Sequence, residues 1–335
     1  MMFPEFRPHP LLRGGHAQTL FTYISRGVKA PTVTNRHQIT LPDGDRIVLH
    51  DNCPQNWTPF SPAVLLMHGL TGCSQSCYMQ RCTSKMNDRG WRVFRLDHRG
   101  CGAGAGLADF PYHAGRIGDI LTTLEFVEHL CPKAPLFPVG FSLSGNILLK
   151  MATAESSQLP RNLTGLTAIC PAIDLARACE NICQPANRYY DRFFVKRLWK
   201  QTLEYAGVHR LLSHVIDSDA RPGSLREYDD MVTSPMGGFL DAGDYYRSAS
   251  CTQDLQALEH PTLIIAAKDD PLVPVESFDG VKLADETRLI LAEGGGHLGF
   301  FGRKGSDPDN RWMDWRIIDW VDHLVAKSQP NRAVA

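Results

Sequence analysis

Gly140-Phe141-Ser142-Leu143 carries most of a G-x-S-x-G turn, the arrangement that lifts a serine hydroxyl off the end of a strand and exposes it as a nucleophile. The closing glycine is missing: Ser144 stands in its place and Gly145 follows one position late. A small residue is wanted there because the following helix must pack close to the strand. A serine costs about 1 kcal/mol or less, unless the position has positive φ, where a side chain costs roughly 1–2 kcal/mol. Apolar Leu136–Val139 precedes the turn and the helix formers of Asn146–Ala152 follow it, so strand, turn and helix are all predicted. Taken alone, the same pattern also describes an ordinary strand-to-helix turn.

A nucleophilic serine needs a base, an acid that orients the base, and donors for the oxyanion. Upstream, the apolar run Ala63–Met67 enters His68-Gly69-Leu70-Thr71-Gly72, a glycine-rich loop of the kind that supplies an oxyanion amide. The predicted donors are the backbone N–H groups of Leu70 and Leu143; His68 precedes the serine and reads as a residue that shapes this loop. Downstream, Thr262–Ala267 leads into Lys268-Asp269-Asp270-Pro271-Leu272-Val273-Pro274. Asp270 is favoured as the acid because Pro-Leu-Val-Pro follows it, with Asp269 as the competitor and simple turn capping as the plainer use of both. A last apolar run, Thr287–Leu291, reaches Gly294-Gly295-Gly296-His297, which makes His297 the candidate base. His323, the other late histidine, falls in the helical stretch Arg316–Ala326 and is expected to face solvent. The order Ser142, Asp270, His297 is that of nucleophile, acid and base in α/β hydrolases.

The elements that must hold these residues are legible as short apolar strands. Val33–Ile39 and Arg46–His50 flank Leu41-Pro42-Asp43-Gly44 as a hairpin. Ala63–Met67, Trp91–Leu96, Leu136–Val139, Leu166–Cys170, Thr262–Ala267 and Arg288–Leu291 then alternate with helical stretches, which predicts an α/β fold with a mostly parallel, doubly wound sheet. About 90 residues between Pro171 and Pro261 lack a clear core strand, far more than a βα connection needs, and read as an inserted helical cap. The expected organisation is an N-terminal segment and hairpin over 1–60, a core over 61–171 and 261–328, the cap over 172–260 and a tail over 329–335.

Seven segments together resemble the YheT-type esterases of the α/β-hydrolase superfamily, a group that also holds abhydrolase-domain lipases and phospholipases. They are Gly15-His16-Ala17-Gln18-Thr19-Leu20, His68–Gly72, Asp97–Gly102, Gly140–Leu143, Asp244-Tyr245-Tyr246-Arg247, Asp269-Asp270-Pro271 and Gly295–Phe300. The elbow of that family usually reads G-F-S-L-G-G-N, so Ser144 is the main departure. The resemblance implies carboxylic-ester hydrolysis: Ser142 forms an acyl-enzyme, His297 acts as base and Asp270 orients it, with no metal or organic cofactor. The alternatives are an acyltransferase using the same triad and a noncatalytic binding protein on the same fold. The expected partner is a small-molecule or lipid ester.

The chain of 335 residues is 43% hydrophobic and 21% charged, with a formal net charge of -1. That balance argues against a nucleic-acid binder. No signal-peptide pattern or run of about 20 apolar residues is seen, so the expectation is a cytoplasmic protein without a spanning helix, peripheral membrane contact being left open. The 10 cysteines lack metal-ligand spacing and read as reduced thiols. Gly100–Gly106 lacks the lysine of a P-loop and reads as a flexible active-site loop. Met236-Gly237-Gly238-Phe239 reads as a loop near the return of the cap. Within the cap, Arg188–Lys200 mixes aromatic residues with five cations. The cations read as the solvated face of an amphipathic helix, or alternatively as contacts for an anionic headgroup or membrane surface; the aromatics could line an acyl pocket.

Overall fold

The computed structural model describes residues 3–25, 27–217 and 220–328, so the expected tail 329–335 lies outside the described residues. Eight strands form one sheet in the order β1-β2-β4-β3-β5-β6-β7-β8. They are β1 (Asn35–Thr40), β2 (Arg46–Asn52), β3 (Ala63–Met67), β4 (Arg92–Asp97), β5 (Leu136–Phe141), β6 (Leu166–Ile169), β7 (Thr262–Ala267) and β8 (Thr287–Ala292). β1 pairs with β2 and β2 with β4 antiparallel; every other pairing is parallel. This is the α/β-hydrolase architecture that the strand pattern predicts.

Period-two alternation sends successive side chains of each strand to opposite faces. In β3, Ala63, Leu65 and Met67 enter one buried cluster, and Val64 and Leu66 enter the other. The first cluster is closed by α3 (Ile117–Leu130) and α4 (Leu143–Ala154), the second by α2 (Cys77–Asn87) and α12 (Trp312–Ser328). Both faces of the central strands are therefore covered, which is why these strands read as continuous apolar runs. Within the second layer, Arg81 grips Asp314 through Nε and Nη2 at 3.1 and 3.2 Å. Burial pushes the Asp314 carboxyl upward, but Arg81 and Lys85 outweigh it and hold the group down at about 2.

Before the sheet, α1 (Gly15–Ile24) is a helix that the strand and cap pattern did not single out. Between β6 and β7 the chain is helical: α5 (Leu175–Ile182), α6 (Arg188–Thr202), α7 (Ala206–Leu211), α8 (Ser213–Ile216), α9 (Leu225–Tyr228), a π-helical turn over Asp229–Thr233, α10 (Ser234–Gly237) and α11 (Ala242–Ala249).

Three local expectations are corrected. Met236 and Gly237 end α10 instead of forming a loop; Gly238 takes the left-handed C-cap (φ 78), and Phe239 packs on His113 and Tyr245. The Gly100–Gly106 segment is tied down: the Tyr205 hydroxyl donates to the Arg99 carbonyl beside it, and the Ala103 N–H donates to Asp97 at 2.9 Å. None of its residues lines the cavities at Ser142. His323 is half-buried and stacked on Trp320. Among the described residues, no helix is long and apolar enough to cross a membrane.

Candidate functional site

The carboxyl ends of the parallel strands converge on one place, where ligands of open α/β sheets bind. Ser142 follows β5, Asp270 follows β7, His297 follows β8, and the His68–Gly72 loop follows β3. His297 Nε2 lies 2.8 Å from Ser142 Oγ, and His297 Nδ1 lies 2.8 Å from Asp270 Oδ2. The other Asp270 oxygen accepts the Leu272 and Val273 N–H groups at 2.8 and 3.0 Å, which fixes the carboxylate plane. Asp269 points elsewhere: its Oδ1 accepts the Gly296 N–H at 2.8 Å. Its carboxyl is raised by burial and by the neighbouring Asp270 charge, against the Gly296 hydrogen bond.

Ser142 is held at φ 55, ψ -119, a conformation that strains any residue but glycine. The described residues contain five non-glycine positions with positive φ, namely Thr71, Ser142, Cys170, Leu298 and Phe300, and each lies on one of the strand-end segments around this site. Gly140 permits the turn, since a Cβ there would lie 2.4 Å from the Ser144 carbonyl oxygen. Gly145 does the close packing expected of the missing motif glycine, because its Cβ would sit 2.9 Å from Pro171 Cβ. Ser144 therefore does not occupy the tight contact.

Instead, Ser144 joins a buried hydrogen-bond chain that runs under the β3 loop. Its hydroxyl donates to the His68 carbonyl and accepts from His98 Nε2 at 2.8 Å. The His98 N–H donates to His68 Nε2 at 3.4 Å, which assigns the His68 proton to Nδ1, where it is donated to the Gly69 carbonyl at 2.8 Å. Burial lowers both histidines, His98 far below its ordinary range, so both are neutral. Two tyrosines hold the loop from the other side: Gly69 N–H donates to the Tyr78 hydroxyl at 3.1 Å, and Thr71 N–H to the Tyr112 hydroxyl at 3.0 Å. The Tyr112 ring stacks on His98 with 5° between the planes. With residues 69 and 71 bonded, the Leu70 N–H has no acceptor among the described residues. The same holds for Leu143 N–H at the first position of α4. Gly69 brings the loop close enough, since a Cβ there would lie 2.9 Å from Ser142 Cβ.

The His297 loop is buttressed by α1. His297 N–H donates to Thr19 Oγ1 at 2.8 Å, and Gln18 bonds both the N–H and the carbonyl of Phe301. Gly15 rests so tightly on the Asp269 carbonyl that no Cβ could fit. Sequence reasoning placed Gly15–Leu20 and, within Asp97–Gly102, His98 among the family-like segments without a role, and missed Tyr78 and Tyr112. Only an unexplained polar residue in an apolar stretch could have flagged them. Cys170 was also missed; its Sγ lies with Asp270 and His297 in a group whose nearest donor atoms are within 4.8 Å. Burial raises the Cys170 thiol well above its ordinary value, keeping it protonated.

Ser142 sits between two spaces. A cavity of about 80 Å³ extends beneath the helical insertion, lined by Leu143, Leu175, Ile182, Leu198 and Tyr245. At its far wall Asp229 is buried, accepting from Thr233 and Tyr246, and burial raises its carboxyl to about 6 against those two hydrogen bonds. A second, open groove of about 440 Å³ runs from Ser142 between α1 and α6 past Tyr189, Tyr190, Phe193 and Phe194, and Cys73 also lines it. Cys101 does not; it is buried against Gln201.

Fold and site together define a serine hydrolase of the α/β-hydrolase class. The family described as serine aminopeptidase, S33, matches residues 59–301, and the chain belongs to that family. It is 30% identical to the Escherichia coli (strain K12) protein named "Putative esterase YheT", over 97% of this chain and 95% of that one, which places it with the YheT-type esterases. It is 26% identical to the Homo sapiens "Phospholipase ABHD3", covering 93% of this chain and 77% of the relative. Among solved structures, Est1E from Butyrivibrio proteoclasticus matches with a TM-score of 0.56 at 16% identity, over 88% of this chain and 100% of that one. The 2,6-dihydroxy-pseudo-oxynicotine hydrolase matches with a TM-score of 0.58 at 16% identity, over 96% and 74%. These two likenesses concern the fold alone.

Proposed function

We propose that the protein hydrolyses carboxylic esters through an acyl-enzyme on Ser142. His297 Nε2 takes the Ser142 proton as Oγ attacks the ester carbonyl, and Asp270 holds the imidazole through Nδ1 and stabilises its charged form. The carbonyl oxygen, becoming an oxyanion, is received by the Leu70 and Leu143 N–H groups. His297 then protonates the departing alcohol and afterwards activates a water that releases the acid. The observation that carries this reading is the unbroken relay Ser142–His297–Asp270, both links 2.8 Å, beside two uncommitted amides. In this reading 61–171 and 261–328 form the catalytic core, 1–60 flanks it, and the helices of 172–260 act as a cap that shapes the acyl and alcohol sides. The substrate is a small-molecule or lipid ester.

The test is Ser142→Ala. It is expected to lose fluorophosphonate labelling and p-nitrophenyl ester turnover while keeping the wild-type circular dichroism spectrum. Labelling or turnover at the wild-type level would overturn the assignment, and acceptor-dependent turnover in the wild type would redirect it to acyl transfer.

A further inference from the structure

The open groove ends on a surface unlike the rest of the molecule. Leu20, Tyr23 and Ile24 of α1 share one helical face and are exposed, Tyr23 by 57% and Ile24 by 72%. Across the groove mouth, Tyr189 of α6 is 66% exposed, and Phe193 meets Tyr23 edge-on at 5.5 Å, so the two helices form one continuous apolar rim. Adjoining the Tyr189–Phe193 stripe, Arg188, Arg192, Lys196 and Lys200 follow one another at four-residue spacing, all exposed, while Arg197 lies over the Phe193 ring at 4.9 Å. None of these five cations is in an ion pair among the described residues, whereas the flanking Arg177 and Arg210 are each paired with an aspartate. Asp191 is the helix's single acid, and it is turned inward to accept the Leu225 N–H at 2.7 Å. On a chain whose net charge is only -1, five unneutralised cations on one helix are a concentrated feature.

We propose that the α1–α6 face docks on an anionic phospholipid bilayer. The exposed apolar side chains enter the headgroup boundary while the α6 cations meet the lipid phosphates. Apolar residues alone would suit any apolar partner, but a cationic fringe with no ion pair among the described residues selects a negatively charged one. A basic, aromatic-bearing amphipathic helix of this kind lies in the plane of the interface. Because the groove opens through this face and leads to Ser142, an ester dissolved in the bilayer reaches the serine without crossing water. That last consequence rests on the catalytic reading above; the docking itself does not.

The experiment is co-sedimentation of the full chain with vesicles of phosphatidylcholine alone and with about one-third phosphatidylglycerol, at low and high salt. Ser142→Ala serves as a catalytically silent control expected to bind like wild type, so that failure of the esterase reading leaves the binding result intact. Binding to the anionic vesicles should exceed that to the neutral ones by at least about tenfold and weaken as salt rises. Two variants, Arg188→Glu with Arg192→Glu and Lys196→Glu, and Tyr23→Ser with Ile24→Ser, should each lose about tenfold or more at unchanged melting temperature. Equal partition on both vesicle types, no partition at low salt, or binding untouched by both variants would overturn the proposal. So would a dimer, seen by light scattering, that dissolves in the Tyr23/Ile24 variant and does not bind vesicles.

Discussion

Replacing Ser144 by alanine tests whether that hydroxyl fills space or holds the β3 loop. The substitution keeps the helix and adds no bulk, so its effect isolates two hydrogen bonds, the one given to the His68 carbonyl and the one received from His98 Nε2. Both groups left behind are buried, and each orphaned polar group costs about 1–3 kcal/mol, giving about 2–4 kcal/mol for the pair with partial relaxation. For a chain of 335 residues the unfolding entropy is about 0.7 kcal/mol/K, so the melting temperature should fall by about 3–6 °C. Turnover should fall as well. Loss of a whole oxyanion donor costs about 10²–10³ in kcat; here Tyr78 and Tyr112 still tie the loop, so a drop of about 3–30-fold is expected with little change in KM. Steady-state hydrolysis of p-nitrophenyl acetate and thermal melts give both quantities. His98→Phe keeps the stack on Tyr112 and removes the donor, so the double variant should cost less than the sum of the two single variants. A Ser144→Ala protein that melts within 1 °C of wild type and retains kcat within about twofold would refute the reasoning, as would strict additivity with His98→Phe.

Two further outcomes follow from close contacts and from burial. Gly69→Ala places a Cβ 2.9 Å from Ser142 Cβ, an overpacking of about 1–3 kcal/mol, and should slow fluorophosphonate labelling at least about tenfold in a protein that still folds; an unchanged labelling rate would show that the loop yields freely. Asp229, raised to about 6 in the folded protein against about 4 unfolded, binds its proton more tightly when folded, so its contribution is favourable at low pH and is lost as pH rises from about 4 to 6. Asp229→Asn should therefore gain on wild type by up to about 3 kcal/mol across that window, read as the difference of the two melting profiles, and parallel profiles would contradict the assignment.

The parts of the fold written in local apolar pattern were legible. Both β3 and β7 have the bounds expected from their apolar runs, and the other strands differ by one or two residues at their ends. The nucleophile, acid and base candidates are brought together because each lies on the segment that follows the carboxyl end of a strand, and those segments carry glycine, proline and aspartate that punctuate the sequence. What was not legible depends on distant partners. Thr19 meets His297 across 278 residues, and Ser144 meets His68 across 76, so no window of sequence holds both members of either pair. The π-helical turn at Asp229–Thr233 has no spacing signature of its own. Ser144 itself was visible as an irregularity, but its purpose was not, since the hydroxyl's two partners, His68 and His98, lie just past the ends of β3 and β4.

The contact between α1 and the strand-end loops has a temporal side. Residues 15–24 leave the ribosome well before the surfaces they seat against, since Asp269 and the Gly296–Phe301 segment are made about 250 or more residues later. At about 5–20 residues per second, that interval is some tens of seconds. Throughout it the loop destined to carry His297 does not exist, and α1 must wait without it, leaving uncovered Phe21, whose ring packs on Phe301 in the finished fold. Such sequence-distant closure is slow and leaves apolar surface open to wrong partners in the meantime. On the catalytic reading proposed above, reactivity at Ser142 therefore cannot precede synthesis of residue 297, and a nascent chain halted before that point carries the serine without its proposed base.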